Sequence, residues 1–256
     1  MKKRWRLAKL KYRYLKINKM NKRTIIITGI SSGLGKALFD LLYASGEQLI
    51  GISRTFSEYQ KTLPSDNATL IACDLSKPDE VTSLKQKLTE RLSNVSDVVF
   101  INNAGTITPI GSIGEIDDAE LIAAAHTNFI SPMRITNMLC GLGKIERLTI
   151  VHLTTSAART PIVGWSLYCA SKAACKMFFS VLEEQCRGDN RTVVHQFDPG
   201  VIDTSMQDKI RQASSKDFPR LEEFKILKKT QKLSDPVEVA KKLISQCIPA
   251  QNNSPE

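Results

Sequence analysis

"TIIITGISSGLGKALFDLLYASG", residues 24–46, reads as a strand, a glycine loop and a helix in unbroken succession. The β-branched run at 24–28 favours an extended, fully buried strand. The apolar spacing of residues 33–44 favours a helix, and Gly46 closes it. Between them the glycines fall as G-x-x-x-G-x-G, which differs from the common dinucleotide spacing G-x-G-x-x-G. A phosphate-binding G-x-x-x-x-G-K-[ST] loop does not fit, because Ile30 stands where its first glycine belongs and Ala37 replaces its hydroxyl. The physics of a nucleotide turn is nevertheless met. Gly29 permits a tight exit from the strand, Gly33 lets the backbone approach a pyrophosphate, and Gly35 allows close helix–sheet packing. Ser31, Ser32 and Leu34 complete the loop expected to face the nucleotide.

The same strand-then-helix pattern repeats along the chain. "QLIGIS" (48–53), "ATLIACDL" (68–75), "SDVVFINNAG" (96–105), "RLTIVHLTTSAA" (147–158) and "TVVHQFDPG" (192–200) read as further strands. Helical patterns intervene at 79–92, 117–142 and after Gly164. Strands that are almost wholly apolar indicate a sheet covered on both faces. The expected fold is α/β: a Rossmann-like doubly wound parallel sheet flanked by helices, in one domain spanning residues 24–248. Ligands of such sheets bind beyond the carboxyl ends of the strands. Polar and small residues gather there: Thr28–Gly29, Ser53–Arg54, Asp74, Asn102–Asn103, Thr154–Ser156 and Pro199–Gly200.

The end of the second strand bears on which nucleotide binds. A carboxylate there would accept hydrogen bonds from a ribose and favour NAD. Ser53 and Arg54 instead offer a hydroxyl and a guanidinium suited to a 2′-phosphate, so the expected cofactor is NADP(H). In "GWSLYCASKAACKMFF", residues 164–179, Tyr168 and Lys172 are four apart and share one helix face. An ammonium near a phenol favours the phenolate, which would make Tyr168 an acid–base group.

The six cysteines include no CxxC pair, and with three histidines they give no zinc pattern, so no metal is expected. Unpaired thiols fit a cytoplasmic setting. No apolar run is long enough to cross a bilayer. The net charge of +10 is concentrated: residues 1–23 carry eleven of the 36 Lys/Arg and no acid, leaving 25 basic against 26 acidic residues in the body. This basic extension reads as a disordered tail, or as sequence upstream of a true start at Met20. Its interleaved Trp5, Leu10 and Tyr12 leave an anionic-surface or nucleic-acid tether as the alternative. No nucleic-acid partner is expected for the body.

Taken together, TGxxxGxG at 28–35, "CDL" at 73–75, "NNAG" at 102–105, YxxxK at 168–172 and "DPGVIDT" at 198–204 resemble the short-chain dehydrogenase/reductase family, in its order and spacing. Stretches near Gly164, Pro199 and Ile210 resemble benzil reductases and sepiapterin-reductase-like members. The resemblance implies an NADPH-dependent carbonyl reductase acting on a hydrophobic ketone or 1,2-diketone, active as a homodimer or homotetramer. It implies that Tyr168 gives a proton to the carbonyl, while Lys172 lowers the phenol's pKa and bonds the nicotinamide ribose. Asn128 matches the asparagine that extends the proton relay; it also reads as a helix-kink residue before Pro132. Asp74, Leu75, Asn103, Ala104, Gly105, Pro199, Gly200, Ile202 and Thr204 fall at the family's cofactor-contacting positions.

The chain departs from the family pattern twice. Thr155 stands thirteen residues before the tyrosine, where the family places a serine, and Ser156 follows it. Residues adjacent on a strand face opposite ways, so one of the two should reach the site, Thr155 by spacing and Ser156 in reserve. The end, "PAQNNSPE" (249–256), reads as a polar tail rather than the family's last strand. These departures motivate an alternative, a catalytically silent NADP(H)-binding regulator. Ile162, Val163, Trp165 and Met206 are the expected walls of an aryl-accepting pocket.

Overall fold

β1 (Thr24–Thr28) is buried at every position because helices cover both of its faces. The computed structural model describes residues 23–248; the expectations for 1–22 and 249–256 lie outside the described residues. Ile25 and Ile27 turn toward one layer and Ile26 toward the other, following the two-residue period of a strand. Five further strands pair in parallel: β2 (Gln48–Ser53), β3 (Ala68–Ala72), β4 (Asp97–Asn102), β5 (Arg147–Leu153) and β6 (Thr192–Phe197). Their order is β3-β2-β1-β4-β5-β6, so the winding reverses between β1 and β4 and opens a crevice there. The fold is the doubly wound α/β sheet that the sequence predicts.

One layer sets α1 (Gly33–Ala44) beside the last described helix, with Leu38, Phe39, Val239 and Leu243 packed on Ile25, Ile27 and Val151. The other layer buries Val81, Leu84, Ile135, Leu139, Cys175 and Phe179 over Ile26, Phe100 and Ile150. Each large side chain wholly withdrawn from water contributes about 1.5–3 kcal/mol. Gly51 in β2 admits Ile30 from the loop, since a Cβ there would come within 2.3 Å of Ile30 Cδ1.

Several elements differ from the sequence expectation. A short helix, α2 (Glu58–Thr62), is held by a reciprocal capping box between Ser57 and Gln60. α3 (Pro78–Arg91) follows where the sequence places it, with proline in its first turn. The helix expected over 117–142 is interrupted: α4 (Asp118–Ala125), a π-helical turn (His126–Ile130) and α5 (Ser131–Gly141) run on end to end. β5 stops at Leu153, so Thr155 and Ser156 are not strand residues. Thr155 caps a 3₁₀ turn (Ser156–Ala158), its Oγ1 accepting from the Ala157 amide at 3.3 Å. After α6 (Ser166–Gln185) and β6, α7 (Ser205–Gln212) and α8 (Leu221–Lys229) precede α9 (Pro236–Cys247). Among the described residues no helix is long and apolar enough to cross a membrane.

Gly35 shows how tightly the crevice is built. A Cβ there would lie 2.1 Å from the Gly29 carbonyl oxygen and 2.3 Å from Asn103 Nδ2. Gly35→Ala is therefore expected to cost about 1–3 kcal/mol through overpacking. The melting temperature should fall by roughly 2–10 °C, measurable by circular dichroism.

Candidate active site

A cavity of about 650 Å³ opens at the carboxyl ends of β1, β2, β4 and β5. Its first wall is the glycine loop, with Ser31, Ser32, Gly33, Leu34 and Gly35. Gly29 and Gly33 adopt positive φ, 76° and 56°, a region that favours glycine. Ser32 is the N-cap of α1, yet no side chain bonds the helix's first amides and no acid lies in its first turn. Those amides, with the helix dipole behind them, suit a pyrophosphate.

The loop is stitched to β4 by side chains. Thr28 Oγ1 accepts from the Asn103 and Ala104 amides at 3.1 and 3.0 Å. Asn103 Nδ2 donates to the carbonyls of Thr28 and Gly29 at 2.9 and 3.2 Å. Gly105 continues this wall. Across the crevice Thr204 packs on Gly33, whose added Cβ would meet Thr204 Cγ2 at 2.9 Å. Pro199, Gly200 and Ile202 line the same side.

At the end of β2 the Ser53 side chain is buried and Arg54 is exposed, both on the cavity wall. Asp74 and Leu75 face them. Burial pushes the Asp74 carboxyl up, but bonds from the Ser76 amide and hydroxyl, with the charges of Arg54 and Lys77, bring it below the usual range.

The second half of the cavity centres on Tyr168. α6 places Tyr168 and Lys172 on one face, with Lys172 Nζ 5.9 Å from the phenol ring centroid. Lys172 is buried and donates to the Leu153 carbonyl at 2.9 Å. Burial lowers its pKa, opposed by the charges of Cys175 and Asp198. Tyr168 does not follow the expectation of a lowered pKa. Burial pushes the phenol up to about 12, reinforced by Cys169 and Asp198, while the Thr155 side chain acts the other way. Lys172 is committed to the end of β5 rather than to the phenol, so desolvation prevails.

Thr155 and Ser156 both line the cavity, which removes the alternation argument for choosing between them. The Thr155 side chain acts on the Tyr168 phenol, drawing its pKa down, whereas Ser156 is exposed. Asn128 does not line the cavity. It sits behind Lys172 in the π-turn, where its Oδ1 accepts from the Thr106 amide at 2.7 Å and its Nδ2 donates to the Thr106 carbonyl at 2.8 Å. Its Oδ1 also stands 3.3 Å from where a Gly105 Cβ would be.

α7 and α8 cap the cavity. Trp165 stacks on Phe218 at 4.8 Å and meets Phe224 edge-on at 5.4 Å, and Met206, Phe224 and Leu227 face the space before Tyr168. Ile162, Trp165 and Met206 are wall residues as expected, whereas Val163 is exposed and is not. Phe224 and Leu227 were not among the expected wall residues. Their signal was the three-residue spacing Leu221, Phe224, Leu227 in an otherwise charged stretch.

The site therefore joins a nucleotide crevice to an apolar chamber, with a phenol and a lysine at the junction. Comparison with known proteins agrees. Residues 23–215 match the family model described as short chain dehydrogenase. The chain is 34% identical over 228 residues to a benzil reductase ((S)-benzoin forming) of Bacillus cereus, covering 86% of this chain and 91% of that one. It is 30% identical over 214 residues to the sepiapterin reductase of Rattus norvegicus, covering 74% and 78%. A crystal structure of a Saccharomyces cerevisiae short-chain dehydrogenase/reductase superposes with a TM-score of 0.73 at 25% identity, over 89% of this chain and 92% of that one. With crevice, chamber and relatives in agreement, the chain belongs to the short-chain dehydrogenase/reductase family, as an oxidoreductase of carbonyl and CH–OH groups that uses a nicotinamide cofactor.

Proposed function

We propose that the protein is an NADPH-dependent reductase of hydrophobic ketones and 1,2-diketones of the benzil type, yielding the hydroxy ketone. The observation that carries this reading is that Tyr168, Lys172 and Thr155 line one cavity, between an aromatic chamber and a crevice of uncapped helix amides and close-packed glycines. The benzil reductase relative supports the substrate class. A nicotinamide dinucleotide fits the crevice: the uncapped amides of α1 face its pyrophosphate and the glycine cradle leaves no room for side chains.

When bound, the reduced nicotinamide supplies the hydride. The chain's own residues do the rest. Tyr168 donates its phenolic proton to the carbonyl oxygen as negative charge develops there. Thr155 shares that oxygen and polarises the carbonyl. Lys172 bonds the ribose and, as a cation, favours the phenolate left behind. Asn128 orders the backbone at Thr106 behind the lysine and extends the proton path. The apolar walls and the α7–α8 cap exclude water from the reacting centre. Tyr168, Lys172 and Thr155 together on one cavity wall disfavour a silent cofactor-binding regulator. Exposed Met177 and Val181, four residues apart on α6, support self-association as a dimer or tetramer, which light scattering would read.

Arg54, exposed on the cavity wall, supports NADPH as the cofactor. A guanidinium–phosphate bond contributes about 1.5–3 kcal/mol, so Arg54→Ala should raise the KM for NADPH by about ten- to a hundredfold and leave that for NADH nearly unchanged. Steady-state oxidation of both cofactors with benzil measures this. A wild-type preference for NADH overturns the cofactor assignment, and inactivity toward every α-diketone overturns the substrate class.

A further inference from the structure

Reduction of one carbonyl needs only Tyr168 and Thr155, yet the chamber wall holds further buried polar groups. The Trp165 indole Nε1 is closed to solvent and has no hydrogen-bond partner. The side chain is 6% exposed and lines the cavity. Gln207 Oε1, on α7, is likewise buried and unpartnered in the same wall. Buried polar groups without partners are uncommon in folded proteins, and each calls for an explanation.

Trp165 is not free to search for a partner. Phe218 lies parallel to its ring at 4.8 Å, Phe224 abuts it at 5.4 Å, and Tyr168 meets it edge-on at 5.7 Å. Gly164, just before it, is pressed on the Asp217 carbonyl, 2.1 Å from where a Cβ would stand. The indole is thus clamped between the start of α6 and the cap, three residues from the acid. An indole N–H donates and never accepts, so its partner must be an acceptor. Ketone oxygens are such acceptors in an apolar chamber, and the one undergoing reduction is already engaged by Tyr168 and Thr155.

We propose that Trp165 Nε1–H recognises a second oxygen of the substrate, the carbonyl oxygen adjacent to the one being reduced, and so selects 1,2-diketones over simple ketones. This rests on the diketone reading above and adds a specificity-determining residue to it. Because the indole nitrogen is closed to solvent, this recognition requires the chamber wall to part for entry and reclose with the second oxygen against the indole. Gln207 Oε1, an acceptor only, suits the hydroxyl of the α-hydroxy ketone that reduction leaves. A site built around a hydrogen bond discriminates strongly against the analogue lacking the matching atom, because the buried group is then stranded.

The test compares benzil with deoxybenzoin, the same skeleton with one carbonyl replaced by methylene. Both are titrated by calorimetry into the full chain loaded with NADP+, where no hydride is available. The wild type should bind benzil at least tenfold more tightly. In Trp165→Phe, which keeps an aromatic ring between Phe218 and Tyr168, the ratio of the two dissociation constants should fall to within about threefold of one. In the ¹⁵N-labelled wild type, the Trp165 indole N–H resonance should move downfield with benzil and not with deoxybenzoin. The chain has one other tryptophan, Trp5, so assignment is direct. The resonance decides even if the variant fails to fold. A wild-type ratio near one, a ratio kept by Trp165→Phe, or an indole resonance indifferent to the second oxygen overturns the proposal. If the ratio and the resonance behave as stated while NADPH reduces no diketone, the recognition stands and the functional reading falls. Turnover with a ratio near one does the reverse.

Discussion

Tyr168→Phe should lower ketone turnover by about 10²–10⁴-fold while NADPH affinity stays within about threefold. The substitution removes one oxygen and its proton and leaves the ring, so the contact with Trp165 survives. Cofactor titration by fluorescence and single-turnover reduction separate the two effects. Loss of both in parallel would mean that the phenol is structural. Its raised pKa also fixes the pH dependence. A phenol near 12 is protonated below that value, so the acid is loaded across the neutral range and reduction should be flat from about pH 6 to 9. Alcohol oxidation needs the phenolate, a fraction of about 10⁻⁵ at pH 7. It should gain about tenfold per pH unit as far as the protein stays folded. A reduction rate that falls with a midpoint below pH 8 would contradict this.

Thr155→Val should cost about 10²–10³-fold in turnover, because it deletes a donor aimed at developing charge and keeps the side chain's shape. Ser156→Ala should cost less than about threefold, since Ser156 is exposed and it is the Thr155 side chain that acts on the phenol. In Thr155→Val the KM for the ketone should change much less than the turnover, as expected for a bond made chiefly in the transition state. A crippled Ser156→Ala beside an active Thr155→Val would reverse the two roles.

The strands were readable because burial on both faces forces long apolar runs, and Ile25–Ile27 or Val98–Ile101 admit no other reading. The glycine loop was readable from steric need alone, as Gly35 shows. Four-residue spacing was enough to bring Tyr168 and Lys172 together. The end of β5 was not readable, because Thr154 and Thr155 favour strands as single residues, and only local bonds, from the Ala157 amide to Thr155 Oγ1 and from the Ala158 amide to the Thr155 carbonyl, turn the chain. The cap was obscured by its own chemistry: α7 and α8 carry many charges, and their few apolar residues are core-facing only once Trp165 and Phe218 have met. The phenol's pKa escaped as well. Spacing reports that a cation is near, not that burial of the phenol outweighs it while the ammonium gives a hydrogen to Leu153.

The π-helical turn at His126–Ile130 makes chain length itself part of the site. A π-turn holds one residue more than the α-helical turn it replaces. That surplus falls at Asn128, whose amide matches the backbone of Thr106 bond for bond. Removing a single residue here would restore an uninterrupted helix and rotate everything on one side of the gap by about 100° relative to the other. The helix would gain regularity and Asn128 would leave the lysine. Along residues 118–141 the spacing between residues thus matters to the site as much as their identity, and a one-residue deletion within this helix strikes the same centre as a substitution in it.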